Sequence, residues 1–122
     1  MNSTRSPIEV VQAQLEAYNR RDLDGFVAQF ADDATIFDLG VPVPIFVGRH
    51  GIRERYRDLF ARSPTLHCTI VSRTVLGRAV VDLEHITGRN GAPDPFEVMA
   101  IYEVHAGLII RLHFVRNEGY LS

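Results

Sequence analysis

The sequence predicts a single α+β domain in which N-terminal helices pack on a curved antiparallel sheet and enclose one small-molecule pocket. Helical periodicity is confined to the stretch ending at Arg62, while β-rich segments separated by turn residues fill the rest. No repeat, low-complexity tract or linker interrupts the chain. Helices first and strands afterwards argue for α+β rather than alternating βαβ units. A length of 122 residues with 46% hydrophobic content suits one domain, 1–122, with one core.

The first helix starts at Ser6-Pro7-Ile8-Glu9: Ser6 caps, Pro7 suits the first turn and Glu9 completes a capping box. Ile8, Val11, Leu15 and Tyr18 recur at helical spacing and mark its apolar face. Asp22 caps a second short helix with Leu23, Phe26, Val27 and Phe30 inward; Asp32-Asp33 end it, and Thr35-Ile36-Phe37 form a short strand leading to Asp38. Residues 39–48, with two prolines and two glycines, form a loop that holds a possible edge strand at Ile45-Phe46-Val47. A third helix runs from about His50 to Arg62, its stripe Ile52, Tyr56, Leu59 and Phe60, with Arg53, Arg55 and Arg57 mostly on the wet side. Ser63-Pro64 stops it.

Strands follow at 66–76, 79–87, 96–104 and 108–116, with turns near Gly77, over 88–95 (Asn90-Gly91 and two prolines) and at His105-Ala106-Gly107. A three-residue last turn sets Val104 opposite Leu108, Tyr102 opposite Ile110, Ala100 opposite Leu112, and Val98 opposite Phe114, all on one apolar face. The other face mixes Glu97, Met99, Ile101, Glu103, Ile109, Arg111, His113 and Val115, as a wet face or a homodimer interface would. On 79–87, alternation places Asp82 and Glu84 together and His85 opposite; periodicity leaves open which face looks inward, because both carry apolar neighbours. A buried carboxylate needs a partner, and Arg73 and Arg116 are candidates.

Thirteen basic and fifteen acidic residues give a net charge of −2, unlike the basic footprint of a nucleic-acid binder. No apolar run approaches the roughly 20 residues that span a bilayer. The polar start lacks a signal-peptide core, and one cysteine excludes an internal disulfide, so a cytoplasmic protein is expected. The five histidines show no metal-ligand spacing, and no phosphate-binding loop or nucleophile triad stands out, so neither metal nor cofactor is expected.

Tyr18-Asn19-Arg20-Arg21-Asp22-Leu23-Asp24-Gly25-Phe26 followed by Phe30-Ala31-Asp32-Asp33-Ala34-Thr35 resembles the opening of ketosteroid isomerase and SnoaL-like proteins, members of the nuclear transport factor two-like (cystatin-like) superfamily. Gly48-Arg49-His50-Gly51-Ile52-Arg53 resembles that family's third-helix start, and Tyr102-Glu103-Val104-His105-Ala106-Gly107-Leu108-Ile109 its final hairpin. The resemblance implies a cone of bent sheet around helices, a pocket at the open end and a homodimer. It spans isomerases, cyclases, dehydratases, epoxide hydrolases and binders, so it implies the fold more sharply than the reaction.

In the ketosteroid isomerase pattern the proton-shuttling carboxylate lies a few residues beyond the Phe-Ala-Asp-Asp-Ala-Thr stretch, where Asp38 stands; as a strand-end residue Asp38 can equally bond backbone or water. The family's oxyanion Tyr and protonated Asp fall at Gln14 and Ala100, so that machinery is incomplete; Tyr18 and Tyr102 are neighbouring donors. The acidic residue of the epoxide hydrolase pattern falls at Phe114. Asp38, Asp82 and Glu84 are therefore the candidate acid/base groups, and Phe30, Phe46, Tyr56, Val98, Tyr102, Leu112, Phe114 and Arg116 the candidate walls of a pocket for an apolar ligand. The reading is cofactor-free isomerisation or cyclisation of an apolar carbonyl compound; the alternatives are a non-catalytic binding module and a dimeric partner-binding domain.

Overall fold

The computed structural model describes residues 4–92 and 94–116; the 1–3 part of the polar start and the Pro93 part of the predicted 88–95 loop lie outside the described residues. The elements are α1 (Pro7–Arg20), α2 (Leu23–Val27), β1 (Phe30–Asp38), β2 (Phe46–Val47), α3 (Gly48–Arg62), β3 (His67–Leu76), β4 (Ala79–Thr87), β5 (Phe96–His105) and β6 (Leu108–Arg116), with a 3₁₀ turn at Arg89–Gly91. Six strands form one sheet in the order β2-β1-β6-β5-β4-β3, curved around the helices. It is mixed rather than wholly antiparallel: β1 and β6 run parallel, because the chain between them crosses over through α3 and the intervening strands.

The capping box at Ser6 and Glu9 is present, and α1 ends with Arg21 in the left-handed region at φ 56°. Its buried face is Val10, Val11, Gln14, Ala17 and Tyr18, rotated from the predicted stripe; Ile8 is exposed because its side falls beyond the sheet's cover. Asp22 caps α2 by accepting from the Gly25 N–H at 3.0 Å. Phe30 opens β1 instead of closing α2, and Asp32-Asp33 lie within that strand, at the irregularity between Phe30 and Thr35, where both are exposed. Tyr18, Phe26, Tyr56 and Phe60 join the three helices in an aromatic cluster, with Phe26 4.4 Å from the Tyr56 ring centre.

The last hairpin differs from its predicted register. Ala106 and Gly107 both have positive φ, 52° and 80°, so the turn has two residues and pairs His105 with Leu108. Ile110 is an extra residue on β6: Glu103 faces Arg111 while Val104 faces Ile109. The bulge turns Ile109 inward, where it is fully buried, and resets the partners to Tyr102–Leu112, Ala100–Phe114 and Val98–Arg116.

A second bulge lies in β3, where Ile70 faces Glu84 and Ser72 faces Leu83, leaving Val71 as the extra residue. Alternation then brings Arg73 to the inner side, opposite Asp82. Asn19 fastens α1 to the start of β3: its amide donates to the Cys68 carbonyl at 3.0 Å and its oxygen accepts from the Cys68 N–H at 2.8 Å. Arg21 adds a bond to the Leu66 carbonyl at 3.0 Å. Asn19→Ala is expected to destabilise the fold by about 2 kcal/mol, since it strips both partners from part-buried backbone groups; urea unfolding of the two proteins measures the difference.

Candidate functional site

Alternation along β4 makes Val80, Asp82, Glu84 and Ile86 the inward set, which settles the face the sequence left open. Asp82 is 1% exposed and held by Arg73 through two parallel bonds, Nε to Oδ1 at 2.7 Å and Nη2 to Oδ2 at 2.9 Å. Arg73 also donates to Gln12 on α1 at 2.9 Å, which ties the pair to the helix. The bonds to Asp82 raise the guanidinium's pKa further above its ordinary value.

Glu84, two residues on, is 7% exposed and has no cation bonded to it among the described residues. Its bonded neighbour is the Tyr102 hydroxyl, which donates to Oε2 at 3.2 Å from the adjacent strand. Burial, aided by the negative charge of Asp82, pushes the Glu84 carboxyl up to about 8; the Tyr102 bond and Arg73 oppose the rise. Burial likewise lifts Tyr102 well above the usual phenol range, and Tyr56 to about 12.

Glu84 lines a cavity of about 60 Å³ that is partly open to solvent. α1 supplies Gln14 and Tyr18, and α3 supplies Arg55, Tyr56 and Leu59. The sheet supplies Cys68, Ile86, Phe96, Val98 and Tyr102, then Leu112, Phe114 and Arg116 from β6. Arg89 enters from the 3₁₀ turn. Gly88 sets that turn at φ 77°, where a Cβ would collide with the Thr65 carbonyl. Among the described residues the side chains of Gln14, Tyr18 and Tyr56 bond to no protein group, so all three present free polar ends to the cavity. The Cys68 thiol is pushed up by burial and stays protonated. No group of three His, Cys, Asp or Glu side chains is placed to hold a metal ion among the described residues.

Of the residues singled out in the sequence, Glu84, Gln14, Tyr18, Tyr56, Val98, Tyr102, Leu112, Phe114 and Arg116 meet at this cavity. Asp38, Asp82, Phe30, Phe46 and Ala100 are not among its lining residues. Asp38, at the end of β1, keeps 41% of its side chain in solvent and accepts from Arg116 Nε at 2.9 Å, touching the cavity only through that arginine. Phe30 is fully buried against Phe26, 5.3 Å between ring centres. Ala100 faces Asp82 across β4–β5. Phe46 carries the Arg55 guanidinium 5.9 Å from its ring centre.

Sequence reasoning missed Arg55 and Arg89. Arg55 was expected in water, yet it borders Tyr56 on the flank of the α3 stripe and reaches the cavity. Arg89 carried no periodic signal; Gly88, the one hint, reads as an ordinary loop glycine until Thr65 is seen beneath it.

The SnoaL-like domain profile matches residues 11–112. In three dimensions the chain is similar to an uncharacterised cystatin-fold protein from Novosphingobium aromaticivorans, with 31% identity and a TM-score of 0.83 over 92% of this chain and 99% of that one. It is also similar to a putative polyketide cyclase from Sinorhizobium meliloti (21% identity, TM-score 0.73, covering 87% and 93%). An LEH-like epoxide hydrolase from M. tuberculosis is a further likeness (22%, 0.78, covering 91% and 82%). No curated protein matches the sequence.

The raised Glu84 pKa fixes a pH signature. Below its ordinary value of 4.5 both folded and unfolded chains hold the proton; between 4.5 and about 8 the unfolded chain loses it while the folded chain keeps it. Stability therefore falls with rising pH across that window, by a few kcal/mol in order of magnitude, and the loss levels off above it. Urea unfolding across a pH series is expected to show this component in the wild type and to lack it in Glu84→Gln. Asp82→Asn is expected to move the Glu84 midpoint down, because the repelling charge goes while Arg73 stays; the protonated-carboxyl C=O band in infrared titrations measures that midpoint.

Proposed function

The chain belongs to the SnoaL-like domain family, and from that premise we propose that it is a cytoplasmic, cofactor-free enzyme that isomerises or cyclises an apolar carbonyl compound, with Glu84 moving the proton. The observation that carries the proposal is the setting of Glu84: a carboxyl in a mostly apolar cavity, bonded to Tyr102, with its pKa at about 8. A carboxylate so raised is a stronger base than an ordinary glutamate and remains partly ionised at neutral pH.

In this reading the ionised Glu84 takes a proton from the carbon beside the substrate carbonyl. The C–H bond breaks, and its electron pair moves onto the carbonyl oxygen as an enolate. The Gln14 amide and the Tyr18 or Tyr56 hydroxyl donate to that oxygen, the task the absent Asp at Ala100 would otherwise perform. Glu84 then returns the proton to another carbon, or the enolate carbon attacks a second carbonyl, whose π electrons move onto its oxygen and take the proton back from Glu84. Asp38 orients Arg116. The proteins described as a putative polyketide cyclase and an LEH-like epoxide hydrolase share the fold.

A binder without turnover is the second reading, favoured by Gln14 and Ala100 at the two oxyanion positions of the ketosteroid isomerase pattern. Deuterium exchange beside the carbonyl of a panel of apolar ketones in D₂O separates the two. The proposed enzyme speeds exchange with a rate that rises with pH and levels off above about 8; Glu84→Gln lowers it by roughly 10²-fold or more. Binding with no exchange by the wild type supports the second reading.

The outer face of the sheet supports a homodimer in this proposal. Met99 lies between Leu83 and Val115 across neighbouring strands, and both Met99 and Val115 are exposed. Met99→Glu is expected to shift the protein from dimer to monomer in light scattering while leaving its helix content unchanged; a wild type that is monomeric at all concentrations rejects the dimer.

A further inference from the structure

Three guanidiniums line the cavity, from three separate elements: Arg55 on α3, Arg89 on the 3₁₀ turn and Arg116 at the end of β6. Glu84 is the carboxylate among the described lining residues. Arg116 has Asp38, but neither Arg55 nor Arg89 has a carboxylate partner among the described residues. All three rest over an aromatic ring: Arg55 over Phe46 at 5.9 Å, Arg89 over Phe96 at 5.4 Å and Arg116 over Phe114 at 4.8 Å. These contacts hold planar donors in place without neutralising them. The Nε of Arg89 is buried and meets no acceptor among the described residues.

Such an arrangement is unfavourable in the empty protein. Burial and the like charges of Arg55 and Arg116 both lower the Arg89 pKa from its ordinary value. An arriving anion relieves the repulsion, supplies the missing acceptor and offers oxygens matched to guanidinium forks. A neutral ligand would leave the strain in place.

We propose that the ligand of this cavity is an apolar carbonyl compound bearing a carboxylate, its anionic group held by Arg55 and Arg89 at the rim and its apolar body directed toward Glu84. This deepens the acid/base reading above and rests on it for the carbonyl, while the carboxylate follows from the arginines alone.

The test uses benzoylpropionate, an aryl ketone with a carboxylate, and its methyl ester, with binding followed by calorimetry at two salt concentrations. The wild type is expected to bind the acid roughly tenfold to a hundredfold more tightly than the ester, a preference that shrinks at high salt. The Arg55→Gln/Arg89→Gln double variant is expected to bind both alike, and Arg55→Lys/Arg89→Lys to recover part of the preference. Loss of like-charge repulsion should leave the Gln variant at least as heat-stable as the wild type, which guards against a folding defect. Equal binding of acid and ester by the wild type, binding of neither, or a preference that survives the double Gln variant overturns the proposal. Failure of the acid/base reading looks different: the acid is still preferred, yet neither compound exchanges its protons and Glu84→Gln changes nothing. Proton exchange of the ester with no preference for the acid sinks the carboxylate and spares the base.

Discussion

One extra residue in β3 decides the electrostatics of the interior. Without the Val71 bulge, continued alternation would set Ser72 opposite Asp82 and turn Arg73 outward. Two carboxylates would then share the inner face with no cation between them, and each buried unpaired charge costs several kcal/mol. The bulge gives Asp82 a partner that holds both its oxygens. It leaves Glu84 beside the negative charge of Asp82, in a low-dielectric wall, with a phenol as its bonded neighbour. Of two chemically similar side chains, one is thereby locked as structure and the other left able to exchange its proton.

The rest of the domain serves that division. The aromatic cluster of the helices and the Asn19 clamp hold α1 and α3 against the sheet, so that Gln14, Tyr18 and Tyr56 converge from the side opposite β4. The lining combines one buried carboxyl and phenols with three guanidiniums, each seated on a ring.

Much of the fold was legible in the sequence because periodicity and punctuation agree: the Ser6 cap, the 79–87 strand, the Asp22 cap and the end of α3 at Arg62 stand where the pattern put them. The bulges at Val71 and Ile110 were not legible. Neither carries a glycine or other local mark, and their cause is tertiary: the need to pair Asp82 in one strand and to bury Ile109 beside a two-residue turn in the other. The site was legible in part for the same reason. Tyr102 follows from strand alternation, which also groups Glu84 with Asp82 but leaves open whether that face looks inward. Asp38 follows from the resemblance, and its distance from the cavity depends on where β1 ends against β6. Arg55 and Arg89 depend on the curvature of the sheet and on Gly88, which no short-range pattern encodes.

The parallel pairing of β1 with β6 has a kinetic consequence. The bond from Arg116 to Asp38 joins residues 78 positions apart, and it closes the rim with the last strand of the chain. Loop closure over that distance is slow relative to forming α1, α3 or the β5–β6 hairpin. The helices and the β3–β6 meander can therefore assemble before β1 docks. The cavity would then acquire Glu84 and most of its walls early, and the bond from Arg116 to Asp38 only in the final stage of folding.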